Sequence, residues 1–307
     1  MGDADDVDAP ILAEVALVQS LVGAEREITF DGEGWDSRVY LVDAGAAVFK
    51  FPRSEPIRVA YRQEVAVLQL VESMGLPLWT PRVRWVGPDL AYFGYEGMRG
   101  TAADLSHASQ AGRAAIGSAI GHFARELHTL DVPGVRIVDV ECEVRDFQRQ
   151  WGDAGHVTAE RFSRAERSRL DAFYAETMPA EMRRLGGELV LCHGDLGPWN
   201  ILVDAGDIDA GDVEAGNIDA GTGVIGVIDF GDVCRCDRSK DLIGMYEPDA
   251  LDAALDAYRY LGDASTLRDR IAVRARALPA MDLVFFAGKH DDFRLDQCIQ
   301  RIRDLHA

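Results

Sequence analysis

The sequence predicts an α+β chain built as two lobes, a small β-rich lobe followed by a larger, mainly helical one. Three observations predict it. Short β-like runs joined by Gly-rich turns fill the first hundred residues, with one long helical pattern among them. Beyond Gly100 the apolar spacing turns helical, over roughly 109–130, 159–185, 237–261 and 264–304. Two strand-like segments, 189–203 and 224–230, interrupt those helices and carry the most distinctive polar residues of the chain. The lobe boundary falls near Met98 to Thr101, so that 1–98 and 99–307 are the expected domains.

Taken in order, residues 11–22 have the spacing of an amphipathic helix. Strands follow at 28–31, 38–42 and 46–51; Asp31-Gly-Glu-Gly-Trp-Asp36 joins the first two and Asp43-Ala-Gly45 the next two. Helical spacing returns over 57–74, with Val59, Val65, Leu68 and Val71 on one side, and Pro77 and Pro81 end it. A further hairpin spans 83–86 and 90–95 across Gly87-Pro-Asp89. Residues 204–223 repeat an Asp-Ala-Gly-Asp-Ile pattern with a period of five, too short for a helical-repeat solenoid and unlike the nine-residue calcium-binding repeats. The segment reads as an acidic loop between two strands.

Composition bounds the function. A net charge of −20 argues against a nucleic-acid binder, which needs a basic face to neutralise phosphates. The acidity suits either a high-salt or solubility adaptation or a cationic substrate. No run of 18 apolar residues occurs and the N-terminus is acidic, which predicts a cytoplasmic chain with no membrane segment. Five cysteines without paired zinc-ligand spacing read as reduced thiols, Cys234-Arg-Cys236 being the one close pair. Oligomeric state is not legible.

The chemistry lies in Leu191-Cys-His-Gly-Asp-Leu-Gly-Pro-Trp-Asn-Ile-Leu-Val203 and Gly226-Val-Ile-Asp-Phe-Gly-Asp232. Phosphoryl transfer from a nucleotide needs a carboxylate to orient the attacking hydroxyl and oxygen ligands to hold magnesium. Asp195 is the candidate base, and Asn200 and Asp229 the candidate Mg²⁺ ligands. His193 is assigned a supporting role in shaping the loop. Upstream, Gly32, Gly34 and Ser37 fit a glycine-rich nucleotide loop on a hairpin, although any hairpin turn can be glycine-rich. Lys50 sits between apolar neighbours on the next strand, where a partly buried ammonium needs a partner. Glu64 of the following helix is favoured over Glu72 as that partner.

These residues together resemble the aminoglycoside phosphotransferases, small-molecule kinases related in fold to the protein kinases. The resemblance rests on Gly32-Glu-Gly-Trp-Asp-Ser-Arg-Val-Tyr-Leu-Val42, Val48-Phe-Lys-Phe-Pro52, Ala124-Arg-Glu-Leu-His-Thr-Leu130, His193-Gly-Asp-Leu-Gly-Pro-Trp-Asn200 and Ile228-Asp-Phe-Gly-Asp232, and covers about residues 25–250. Phe93-Gly-Tyr-Glu-Gly-Met-Arg-Gly100 and Asp229-Phe-Gly-Asp232 look most like the 2''-phosphotransferase branch. The resemblance implies a bilobal protein-kinase-like fold, Mg²⁺, and ATP or GTP as donor of the γ-phosphoryl to a hydroxyl of an aminoglycoside. It also implies nucleotide contacts near Tyr95 and Met98, and substrate contacts at Asp232 and Glu247. Asp282, Asp291, Asp292 and Asp296 extend the acidic set available to a cationic acceptor. Two other readings stand beside it: a kinase of the same fold acting on a macrolide, amino alcohol or sugar, and a nucleotide-binding pseudokinase. A metallophosphatase needs an Asn-His pair, and none occurs.

Overall fold

The structure is a computed structural model that describes residues 5–32, 36–98, 100–204, 223–259 and 264–307. The chain divides into two compact units, Met1–Gly112 with Pro198–Val233, and Arg113–Gly197 with Cys234–Ala307. The α+β class expected from the sequence is the class found, a small antiparallel sheet near the N-terminus and a larger helical part. Among the described residues no helix is long and apolar enough to cross a membrane.

In the first unit the sheet contains β1 (Ile28–Asp31), β2 (Ser37–Val42), β3 (Ala47–Pro52), β4 (Arg82–Val86) and β5 (Phe93–Glu96), in the order β1-β2-β3-β5-β4, all antiparallel. The last strand starts later than the expected 90–95. Pro88–Leu90 forms a tight helical turn, and Asp89 and Leu90 take left-handed backbone angles that end extended structure there.

Period-two alternation gives β3 two different faces. Phe49 and Phe51 join Tyr40, Val42, Tyr92 and Val18 of α1 (Asp5–Val22) in one cluster. Glu14 of α1 accepts hydrogen bonds from Arg38 Nη2 at 2.6 Å and Tyr40 Oη at 2.7 Å, fixing the helix to β2. Lys50 and its register partners Val39 and Phe93 occupy the opposite face. There α2 (Glu55–Met74) packs, with the Tyr61 ring edge-on to Phe93 at 4.8 Å. Gly94 lies across from Phe49, and a Cβ at Gly94 would stand 2.7 Å from that ring. The close approach requires glycine. A left-handed Gly75 stops α2 two residues before the first of the prolines expected to do so.

Five further strands follow: β6 (Thr101–Ala102), β7 (Leu189–Cys192), β8 (Ile201–Val203), β9 (Val224–Val227) and β10 (Cys234–Asp237). A three-stranded sheet β6-β8-β9 completes the first unit. The repeat falls between β8 and β9. Asp204 N–H donates to Gly223 O at 3.1 Å, and residues 205–222 lie outside the described residues.

The second unit holds most of α3 (Gln110–Leu127), then α4 (Val140–Asp153), α5 (Gly155–Arg161), α6 (Arg164–Ala172), α7 (Met178–Leu185), α8 (Pro248–Tyr258), α9 (Ala264–Ala277), α10 (Pro279–Gly288) and α11 (Asp292–Leu305). The long helical patterns expected at 159–185, 237–261 and 264–304 are broken. Ser163 and Glu166 form a capping box that starts α6, a π-helical turn at Phe173–Thr177 precedes α7, and Pro248 and Pro279 open α8 and α10. Helix α4 was not anticipated; Asp139 caps it, and Val144, Phe147 and Trp151 bury one side. Trp151 stacks on Tyr174 at 4.6 Å in a buried cluster shared by these helices. Two buried ion pairs join elements of this unit, Arg274–Glu143 at 2.6 Å and Arg270–Asp237 at 2.9 Å. Strands β7 and β10 pair antiparallel, with Cys234 opposite Cys192.

Candidate active site

In the first unit, three charged side chains converge. Lys50 Nζ lies 2.8 Å from Glu64 Oε1 and 3.0 Å from Asp229 Oδ1. Lys50 and Glu64 are buried, whereas the Asp229 side chain is 54% exposed. Burial opposes the charge on Lys50, but Glu64 and then Asp229 outweigh it and hold the ammonium pKa well above its ordinary value. Burial pushes the Glu64 carboxyl up, with Lys50 opposing. The group carries one positive and two negative charges, so an excess negative charge sits at its exposed end.

The local sequence makes this geometry. Asp229 has φ +63°, an uncommon conformation for a residue other than glycine. The short turn Phe230–Asp232 follows it, anchored by the fully buried Phe230 ring. Gln63 of α2 donates from Nε2 to Val233 O at 2.6 Å, tying the helix that bears Glu64 to the segment that bears Asp229. Asn200 is buried at the end of the turn Pro198–Asn200. Its carbonyl accepts the Ile228 N–H at 2.9 Å, continuing the β8/β9 pairing in which Ile201 faces Val227. The hairpin therefore brings together the two candidate metal ligands, although the repeat separates them along the chain.

Gly32 O accepts from Arg53 Nη2 at 3.0 Å, and Gly34 lies outside the described residues. Ser37 is buried, its hydroxyl 2.6 Å from Tyr61 Oη. Tyr95 is buried on the Lys50 face, and burial lifts its hydroxyl pKa. Met98 is half-buried beside Gly226. Asp232 is exposed. Sequence reasoning missed Asp36, whose carboxyl pKa is raised by burial and then by Asp232, with Lys50 opposing. Its place inside the Gly-rich turn was the available signal.

In the second unit the loop after β7 carries His193, Gly194 and Asp195. Gly194 takes φ +92°. His193 is fully buried, and its Nδ1 accepts the Asp195 N–H at 3.3 Å. Asp241, fully buried and also missed, clamps the loop: Oδ2 accepts His193 N–H at 2.7 Å and Oδ1 accepts Gly194 N–H at 2.9 Å. His128 Nε2 lies 3.1 Å from Asp241 Oδ2, and Nδ1 lies 2.7 Å from Tyr258 Oη. Burial opposes the imidazolium, but Asp241 outweighs it and raises the His128 pKa; burial likewise opposes the Asp241 anion, and His128 and the loop amide lower its pKa.

Of the late acidic residues, Asp292 and Asp296 pair with Arg161 at 3.1 and 2.9 Å, and Asp291 caps α11. Asp282 differs. Burial raises its carboxyl pKa to about 6, with Arg301 opposing from 4.0 Å and the Asp195 charge adding to the rise. Arg301 also lies over the exposed Tyr246 ring at 5.3 Å, next in sequence to the half-buried Glu247.

No curated protein matches the chain. Solved structures do. The GDP and kanamycin complex of an aminoglycoside 2''-phosphotransferase superposes with TM-score 0.70 at 16% identity, covering 96% of this chain and 98% of that one. An ADP-bound enzyme of the same 2'' class gives 0.63 at 15% identity, covering 97% of each chain. A macrolide 2'-phosphotransferase from Brachybacterium faecium gives 0.60 at 18% identity, covering 94% and 97%. The family model described as the phosphotransferase enzyme family matches residues 27–274, and the chain belongs to that family.

Proposed function

We propose that the chain transfers the γ-phosphoryl group of ATP or GTP to a hydroxyl of an aminoglycoside, with Mg²⁺, in the cytoplasm. The observation that carries this reading is Lys50 held between buried Glu64 and exposed Asp229. Glu64 orients the ammonium, leaving its charge available to the α- and β-phosphates of a nucleotide. Asn200 and Asp229 offer an amide and a carboxylate oxygen, a donor set that fits a hard cation and suits Mg²⁺. Bound there, Mg²⁺ would neutralise phosphate charge. Asp195 accepts a hydrogen bond from the acceptor hydroxyl and takes its proton, while Asp241 keeps the Asp195 loop in shape through two N–H bonds. Gly32, Gly34 and Ser37 border the phosphates, and the backbone near Tyr95 and Met98 meets the base. Asp232 and Glu247 are the proposed acceptor contacts. The structures of related enzymes with kanamycin and with gentamicin support an aminoglycoside acceptor.

One observation favours a second acceptor class. The guanidinium of Arg301 stands between Asp282 and the Tyr246 ring, a cation where a polycationic substrate gains least. A macrolide or another weakly charged sugar derivative tolerates it better. Mass spectrometry after incubation with Mg²⁺ and either ATP or GTP separates the two. A gain of one phosphoryl group on kanamycin or gentamicin, reduced about 10²- to 10⁴-fold in Asp195→Asn, supports the aminoglycoside reading. Phosphorylation of a macrolide alone overturns it in favour of the second, and turnover of neither class sinks both.

A further inference from the structure

Three buried sulfurs and an imidazole gather behind the loop that carries Asp195. Pairing of β7 with β10 sets Cys234 opposite Cys192, and Cys236 follows two residues on, toward the same face. All three cysteines are fully buried. Cys192 Sγ stands 3.7 Å from His128 Nε2, which stands 3.1 Å from Asp241 Oδ2. The Cys192 sulfur also lies 3.7 Å from both the Cys236 and the Asp237 carbonyl oxygens and interacts with the Cys236 thiol. The sulfur, nitrogen and oxygen all lie within 4.8 Å of one another.

Those spacings suit a tetrahedral cation. Bonds of about 2.3 Å to sulfur and about 2.0–2.2 Å to nitrogen and oxygen place ligand atoms roughly 3.2–3.6 Å apart. Two of the three edges, 3.1 Å and 3.7 Å, lie close to that range, and the third, from the Cys192 sulfur to the Asp241 carboxylate, is within 4.8 Å and closes as the metal draws the ligands in. Charge balances as well. Without metal, the set is an imidazolium, a carboxylate and a neutral thiol, with zero net charge. With a divalent ion, neutral imidazole, thiolate and carboxylate again sum to zero, and two protons leave, one from sulfur and one from the imidazolium. A buried site that carries no net charge in either form avoids the main cost of ionic burial.

We propose that His128, Cys192 and Asp241 bind a thiophilic d¹⁰ cation of the zinc and cadmium class, which replaces the proton between His128 and Asp241. The Cys236 sulfur lies beside Cys192 as the adjacent soft donor. Asp241 keeps its bonds to the His193 and Gly194 amides, so the metal stiffens the loop it underlies. Mg²⁺ is excluded from this site by its preference for oxygen ligands.

The test uses the full chain, stripped by a chelator and equilibrated with Cd²⁺ in excess Mg²⁺. Binding of one equivalent with a thiolate-to-cadmium ultraviolet band is expected. Cys192→Ser weakens it at least about 10-fold, and Cys298→Ala, in the separate helical core, leaves it intact. X-ray absorption of the loaded wild-type chain, which depends on no variant folding, is expected to show sulfur and imidazole bound to the metal. An all-oxygen environment, no band at one equivalent, or an unchanged band in Cys192→Ser overturns the proposal. None of these readouts needs a nucleotide or an acceptor, so failure of the phosphotransfer reading would leave them untouched.

Discussion

The Lys50 group in the first unit and the Asp241 group in the second solve the same problem of buried charge in opposite ways. Asp241 is closed: its carboxylate meets one imidazolium and two backbone amides, and all of these groups are buried. Lys50 is open: it meets two carboxylates, and one of them remains half in solvent. A closed group fixes geometry, and a cation enters it only by displacing the protons it already holds. An open group keeps a charged side chain within reach of solvent and of a ligand. The difference separates residues that shape a site from residues that bind in it, although both kinds carry perturbed pKa values.

The largest expected effect breaks the open group. Lys50→Ala leaves Glu64 buried with no counter-charge and is expected to cost about 3–5 kcal/mol in stability. Chemical denaturation measures it, and the same loss in a Lys50→Ala, Glu64→Gln double variant would refute the uncompensated-charge account. Next, Asp241→Asn weakens the clamp on the Asp195 loop. The expected cost is about 1–3 kcal/mol, roughly 5- to 150-fold in turnover. Nucleotide KM should hold, and amide exchange at His193 and Gly194 should accelerate; a raised KM with unchanged exchange would show that Asp241 acts elsewhere. Gly94→Ala drives a methyl group against the Phe49 ring, with an expected loss of about 1–3 kcal/mol confined to the first unit's sheet. An unchanged melting temperature would contradict that packing.

The smallest effect sharpens the comparison through pH. The Asp282 carboxyl has a folded pKa of about 6, above its unfolded value, owing to burial and to Asp195, against Arg301. Its contribution to stability is therefore complete at acid pH below the unfolded value and is lost as pH rises through about 6. Asp282→Asn should flatten the stability profile between about pH 4 and 6. If Asp282 also meets a cationic acceptor, affinity for that acceptor should rise through the same interval in the wild type alone, read as KM against pH.

Much of the fold, and the pairing of Lys50 with Glu64, was legible in the sequence. Alternation around Lys50 announced a lysine flanked by apolar residues, and helical spacing put Glu64 one element away, where the ion pair forms. The missed helix breaks had local signals too: the Ser163–Glu166 box, Pro248 and Pro279. Periodicity overrode them, since an amphipathic pattern continues across a break when successive helices bury the same side. His128 and Asp241 had no comparable signal. Each looks like an ordinary polar residue, and its role depends on a partner distant in sequence. His128 and Asp241 are separated by 113 positions.

By itself, the sequence determined the reaction chemistry that is proposed, because Asp195, Asn200 and Asp229 are dictated by residue type and order. It determined the class of fold as well, through patterns whose period is a property of the backbone. Only the tertiary structure decided which charges are closed and which remain open. Burial, neighbouring charge and the acceptors of individual N–H groups depend on packing between distant segments, and no local pattern encodes those. The tertiary structure likewise turned three scattered cysteines and a histidine at the end of α3 into one buried cluster behind the Asp195 loop, because strand pairing, not spacing, sets those sulfurs side by side.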